Sequence, residues 1–247
     1  MPRGHSLLAP FRPLRCLFLA AAFGTLAGCA GLNSPGDGGP AAEAPAYRVG
    51  DRWVYRAQDG FRAPVKWEET REVIAIAADG ITVRVTQKGP TVDNMRTETW
   101  ATPGLVRTGA LFDDETRRFA TPLQRYDFPL SSGKAWNQWL DNFNETTRKE
   151  GRINHYVRVG SWSTVTTPAG TFETLPMRVF TRLDDEEFWR WATEGNYLVA
   201  YAPAVRGVVR EDKEAQYLEK GGALNGINVI RSQHTTLELV SFTPGSN

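Results

Sequence analysis

One thiol is placed for chemistry. Cys29 closes the tetrad Leu26-Ala27-Gly28-Cys29, and small residues ahead of a cysteine suit a signal-peptidase pocket. The expected chemistry is acylation of the Cys29 sulfur and cleavage between Gly28 and Cys29. The residues upstream have the matching form. Arg3, Arg12 and Arg15 precede the apolar run Cys16–Phe23, and no acid occurs before Cys29. From Cys16 to Ala27 the apolar stretch is about 12 residues, short of the ~20 that cross a bilayer as a helix. Each buried methylene contributes about 0.8 kcal/mol, so two or three acyl chains would hold the protein durably to a membrane. The next residue is Ala30 rather than Asp, which favours sorting to an outer membrane, facing the periplasm.

The second candidate is aromatic. Of eight tryptophans, Trp189 and Trp191 stand out in Phe188-Trp189-Arg190-Trp191, where aromatic and basic residues alternate directly after four acids. Tryptophan is amphipathic, so an exposed pair can stack on sugar rings or line an apolar groove. The acids Asp184-Asp185-Glu186-Glu187 lack the spaced donors and the glycine of a calcium loop, and read as a solvated hairpin tip. Asp113-Asp114-Glu115 reads the same way. His155 and His234 have no nucleophile nearby in sequence and are expected to be structural or surface histidines. With no cysteine partner or His-Glu-x-x-His pattern, no metal site is expected. No phosphate loop, dinucleotide fingerprint or nucleophile elbow is present, so no catalytic residue and no cofactor is assigned.

Charge narrows the partners. The chain has 29 basic and 28 acidic residues. Loss of the three leader arginines would leave 26 against 28, a net of −2. Charges are interspersed rather than striped, which argues against nucleic acid. Cys16 would leave with the leader and Cys29 would be acylated, so no disulfide is expected. Stability must come from a core.

The elements that would position these residues are β. Residues 1–28 are read as the leader and 29–45 as lipidated cysteine and disordered tether, reaching about 20 Å on average. Residues 46–247 are read as one β-rich domain. Asp79-Gly80 predicts a two-residue hairpin turn, pairing Ala78 with Ile81, Ile76 with Val83 and Ile74 with Val85 on one apolar face. Pro168-Ala169-Gly170 predicts a three-residue hairpin loop. Further strands are expected at 52–57, 95–101, 116–120, 144–149, 156–161, 177–183, 197–201, 208–210 and 228–242. A short helix competes with a strand over 211–220, and 133–143 could form a helical turn. The fold class expected is all-β: a strongly curved antiparallel sheet, as half-barrel, open barrel or sandwich, with at most one or two short helices.

Five phrases carry a resemblance: Gly50-Asp51-Arg52-Trp53-Val54-Tyr55, residues 128–136, Thr167-Pro168-Ala169-Gly170-Thr171-Phe172, residues 201–210, and Leu237-Glu238-Leu239-Val240-Ser241-Phe242. As a set they resemble a broad group of secreted bacterial proteins and lipoproteins with a β-rich domain, distantly similar to lipoprotein-carrier half-barrels. The resemblance implies a curved antiparallel sheet and brings no catalytic residue. The functional expectation is a non-catalytic, lipid-anchored envelope protein that binds a lipid, a glycan or a protein partner. Two alternatives are a cell-wall glycan hydrolase using paired carboxylates and a lipid or lipoprotein carrier with an apolar cavity.

Overall fold

The computed structural model describes residues 38–60, 63–112, 115–185, 187–220 and 228–246. Cys29, Gly28 and the leader lie outside these residues, as do Asp113, Asp114 and Glu186. The strands are β1 (Arg52–Asp59), β2 (Val65–Ala77), β3 (Gly80–Lys88), β4 (Asp93–Thr102), β5 (Leu105–Gly109), β6 (Arg117–Gln124) and β7 (Ala135–Asn144). They continue as β8 (Lys149–Val159), β9 (Ser163–Thr167), β10 (Gly170–Asp185), β11 (Thr193–Ala202), β12 (Gly207–Leu218) and β13 (Val229–Thr243). A 3-10 turn, Pro203–Val205, joins β11 to β12.

All pairings are antiparallel, and the sheet curves until it closes. The second half of β10 pairs with β8 on one side and β11 on the other, while β13 pairs with β1. The result is a 12-stranded barrel. Closure leaves no unpaired edge in the ring. The first residues of β10 instead pair with β9, forming a hairpin outside the ring. Bulges in the β2–β3, β1–β13, β11–β12 and β12–β13 pairings supply local bend and twist.

Period-two alternation sorts the side chains. Outward positions carry cross-strand ion pairs such as Arg56–Glu238 and Arg84–Glu72. A wall of that kind is incompatible with the apolar band of a membrane barrel. Inward positions form three apolar clusters, around Trp53 and Tyr55, around Leu130 and Tyr201, and around Leu123 and Ile153. Side chains of these clusters fill much of the barrel interior.

One end of the barrel is plugged. Trp53 Nε1 donates to Val205 O at 2.7 Å, and Tyr55 OH donates to Val208 O at 3.0 Å. The Trp53 ring stacks on Phe242 at 5.4 Å and meets the edge of Tyr47 at 5.9 Å. Gly207 permits this, because a Cβ there would lie 2.8 Å from the Trp53 indole nitrogen. The tip of the β9–β10 hairpin closes over the same cluster, with Ala169 N donating to Leu239 O. Asp51, fully buried, ties both chain ends into the plug. Its carboxylate accepts from the Arg48 and Gly245 amides, each at 2.8 Å, and pairs with Arg206 at 3.0 Å.

Several expectations need revision. The tether was expected to run to residue 45, but Ala42 pairs with Leu130 in both directions and Trp162 donates to Pro40 O, so 38–45 are part of the domain surface. At the β2–β3 turn, Ala78 and Asp79 occupy the loop and Gly80 is its flank, pairing with Ala77. Ile76 therefore faces Ile81 and is exposed, and a bulge at Ile74 restores register so that Val73 meets Val83. Gly80 serves close approach instead: with φ at 150°, it lets the strand pass where a Cβ would sit 2.3 Å from Trp100 O. Similarly, Pro168 and Ala169 make a two-residue loop with Gly170 as its flank. Residues 145–148 are a turn, and 135–144 and 207–218 are strands without helix.

The β6–β7 seam is among the shortest in the ring. Only Arg117–Phe119 pair with the end of β7. Beyond them Pro122 lacks an amide hydrogen, and the Gln138 side chain takes over from the ladder. It accepts from Gln124 N at 2.8 Å and donates to Pro122 O at 3.0 Å.

Candidate functional site

Opposite the plug the barrel opens into a cup of about 540 Å³. That size lies within the usual range of small-molecule sites. It is lined by described residues at the ends of β1, β3, β7, β10 and β12 and at the starts of β2, β6, β11 and β13.

Two walls of the cup are aromatic. Trp67 projects inward from β2, across from Ala57 of β1, and is 8% exposed. The β3–β4 turn folds back beside it at Gly89, where a Cβ would lie 2.4 Å from Lys66 O. The Trp67 indole nitrogen is buried with no hydrogen-bond partner among the described residues. A buried N–H left unsatisfied costs about 1–3 kcal/mol, which an acceptor on a ligand would recover. Facing it are Trp189 and Tyr217, packed edge to face at 5.4 Å. Arg190 lies over both rings, at 5.5 and 5.3 Å from their centres.

Backbone pairing holds Trp189 there. Arg190 bridges to Glu219, Trp191 N donates to Leu218 O, and Lys220 N donates to Trp189 O. The β10–β11 connection is thereby stitched to the end of β12. Trp189 sits on the rim of the cup, in the loop between β10 and β11. Trp191 does not join it. Its ring is 59% exposed and lies beneath Lys220 Nζ at 4.8 Å.

The remaining wall is polar. Arg117, 1% exposed, is held by both Glu115 oxygens and donates to Asn142 Oδ1 at 2.6 Å. Asn144 donates to Glu115 as well. Asp59 accepts from the His234 amide and the Thr235 hydroxyl. Glu187 is bonded to Lys149, and this contact holds its carboxyl below the usual range. Each of these three carboxylates is engaged as an acceptor. Gln87 lines the cup and donates inward to Glu69 at 2.8 Å, linking the cup to the layer below.

That layer is a buried charge network. Glu69 pairs with Arg71 at 2.7 Å, and Arg71 reaches Glu211 at 3.3 Å. Glu98 accepts from Arg125 at 3.1 and 3.2 Å and from Trp100 Nε1 at 3.0 Å, with Arg96 at 3.6 Å. Lys213 lies 3.9 Å from Glu211. Burial alone would raise the Glu98 pKa, but Arg125, Arg96, Arg71 and the Trp100 bond together outweigh it, and the net value falls to about 2. His155 is also buried. Its Nδ1 meets Thr181 Oγ1 at 3.1 Å, and burial, reinforced by Arg125, lowers its pKa to about 4. It is neutral near pH 7. His234 sits on the rim, with Nδ1 3.4 Å from Gly60 O and Nε2 3.7 Å from Glu214.

Trp67, Tyr217, Arg117 and Gln87 were not expected at a site. Trp67 reads as core, which by burial it is. Tyr217 falls in 211–220, where charged residues on both faces hide the alternation.

No family model and no curated protein matches the chain. Among solved structures it is similar to a Bacteroides fragilis protein inferred to be exported, with a YmcC-like fold. That match has a TM-score of 0.52 at 13% identity, covering 83% of this chain and 100% of the other. A second, a Parabacteroides distasonis protein inferred to be a lipoprotein, matches over the same shares with a TM-score of 0.49 and 12% identity. At such identity the likeness concerns the fold.

Proposed function

We propose that the protein is a non-catalytic, lipid-anchored envelope protein whose cup binds a short glycan. The supporting observation is the cup itself: a pocket with aromatic rings on two sides, whose buried Trp67 N–H has no acceptor among the described residues. Trp67, Trp189 and Tyr217 supply aromatic surface for pyranose rings, beside a polar wall of Arg117, Asn144 and Gln87. Saccharides present apolar ring faces and polar edges, which suits this division. Among the described residues Asp59, Glu115 and Glu187 are all engaged as acceptors, and on that ground we favour binding over glycan hydrolysis.

The anchor fits the same picture. Residues 38–51 run along the plugged end. Eight residues separate Cys29 from Gly38, at most about 30 Å of chain. Acylation at Cys29 would therefore hold the plugged end near the membrane and turn the cup away from it. With Ala30 following the cysteine, we place the anchor in an outer membrane, facing the periplasm.

The experiment is a titration of the purified protein with linear oligosaccharides and with solubilised peptidoglycan fragments, read by tryptophan fluorescence and calorimetry. One of these should bind, and Trp189→Ala should weaken it at least tenfold, since burying a large apolar side chain contributes about 1.5–3 kcal/mol. Binding unaffected by Trp189→Ala and by Trp67→Phe, or no binding by any member of either panel, refutes the reading.

A further inference from the structure

On the outside of the barrel, one stretch of wall departs from the pairing of opposite charges. Elsewhere outward arginines face carboxylates across the sheet, as in Arg56–Glu238, Arg84–Glu72 and Arg182–Glu194. On β8 and β10, by contrast, Arg158 lies directly opposite Arg178. Both are exposed, and neither side chain has an ion-pair or hydrogen-bond partner among the described residues. Like charges directly opposite on a sheet are destabilising, so the pair calls for an anion from outside the chain. The same row continues to Leu198 of β11, 52% exposed, and the next row sets exposed Tyr156 opposite half-buried Phe180. A groove beside the arginines is lined by Pro176, Leu198 and Ala200. This wall lies toward the plugged end. Gly160, two residues beyond Arg158, donates to Pro176 O, where the β9–β10 hairpin departs from the ring to cover the plug.

We infer that this wall docks on an anionic lipid surface, with a lipid phosphate between Arg158 and Arg178 and the start of an acyl chain against Leu198 and Pro176. Charge complementarity selects the headgroup, because guanidinium groups match phosphate oxygens in fork geometry. The apolar neighbours select a lipid over an acidic peptide, which charge alone would satisfy. Arginines set among exposed apolar and aromatic side chains have the composition of a surface that sits at a membrane interface. Acylation at Cys29, proposed above, brings the plugged end to the membrane, and this docking rests on that reading; the cup plays no part in it. A tether at one point and a wall at a second would fix the barrel's orientation on the membrane, where the tether alone would let it swing.

The test reconstitutes the protein, purified from membranes, in vesicles of phosphatidylcholine and phosphatidylglycerol, with one or the other lipid carrying a photoactivatable group near its headgroup. Mass spectrometry should place the phosphatidylglycerol adducts in 156–160, 176–180 and 196–198, and not in 93–97 of β4, on the far side of the ring. The phosphatidylcholine probe should mark this wall less. Arg158→Gln combined with Arg178→Gln should lower the phosphatidylglycerol yield at least about fivefold, the contribution of a single arginine at an anionic surface. The same variant should melt no lower than the natural protein, since a repulsion is removed with the charges. Equal yields at this wall from both probes, a yield unchanged in the double variant, or no adduct there, as an acidic protein partner would give, overturns the inference. The intact mass of the same sample reports whether Cys29 is acylated, so failure of the anchor is seen separately from failure of the wall.

Discussion

Replacing Glu98 by glutamine tests the charge layer at its centre. The carboxylate is 4% exposed and accepts from Arg125 and Trp100. Its pKa falls from 4.5 to about 2. A shift of that size corresponds to about 3 kcal/mol of folding stability, at 1.36 kcal/mol per pKa unit. Because the folded pKa is the lower one, this stability is complete above pH 4.5 and is lost as pH falls toward 2. About 2 kcal/mol of it should be gone at pH 3. Glutamine preserves shape and can still accept from Trp100, but it leaves the Arg125 and Arg96 charges short of a counter-charge. Breaking a buried ion pair from one side costs about 3–5 kcal/mol. Urea unfolding at pH 7, 4.5 and 3 provides the assay, with exposed Glu68→Gln as a control that should change stability by less than about 0.5 kcal/mol. Glu98→Gln should be destabilised by several kcal/mol at pH 7 and should lose the part of the acid dependence below pH 4.5. If it is destabilised by less than about 1 kcal/mol, or retains the full slope below pH 4.5, the layer is not electrostatically coupled as described.

His155 governs a separate pH window. Its folded pKa lies near 4 against 6.5 unfolded, so the unfolded chain takes up the proton first. Stability from the neutral, buried imidazole is complete above pH 6.5 and is lost as pH falls to 4, by about 3 kcal/mol. His155→Gln should flatten that part of the urea-derived profile, and an unchanged slope would show that another group titrates there. At the β6–β7 seam, Gln138→Ala should leave Gln124 N and Pro122 O without side-chain partners, at a cost of about 1–3 kcal/mol. Hydrogen exchange should accelerate in 122–126 before other strands, whereas uniform acceleration would mean that the seam has no special weakness.

The fold class was legible because inward and outward residues alternate cleanly where the outward ones are charged. Strand β3, with Ile81, Val83 and Val85 inward and Arg84 outward, is plain for that reason. Turn chemistry was less dependable. Asp79-Gly80 has the composition of a turn centre, yet Gly80 is used where β3 passes Trp100 O, and this contact with β4 shifts the hairpin by one residue. Such a contact is invisible to a local pattern. Likewise 135–144 mixes Trp, Asn, Gln and Asp on both faces, because β7 lines a polar stretch of lumen where Gln138 and Asn142 replace apolar residues. Polar interiors erase the signal that marks a strand. The same cause hid the cup: Gln87, Arg117 and Tyr217 face inward, and inward-facing polar residues read as surface.

The five phrases that carried the resemblance share one location. Gly50–Tyr55 supplies the Asp51 latch and Trp53; Thr167–Phe172 supplies the hairpin tip bonded to Leu239; residues 201–210 supply the Val205 carbonyl and the Gly207 clearance. Leu237–Phe242 provides the ring beneath Trp53, and residues 128–136 provide the Leu130 bridge to Ala42. All belong to the plug, where tight turns, positive φ at Gly50 and Arg206, and a buried carboxylate narrow the residues that fit. The cup imposes no such backbone demands. Its walls are side chains on regular strand positions and on one stitched loop, so they form no phrase. A resemblance built on the plug therefore transfers architecture and is silent about the ligand. The ligand must be argued from Trp67, Trp189, Tyr217 and Arg117, residues that meet only after the barrel has closed.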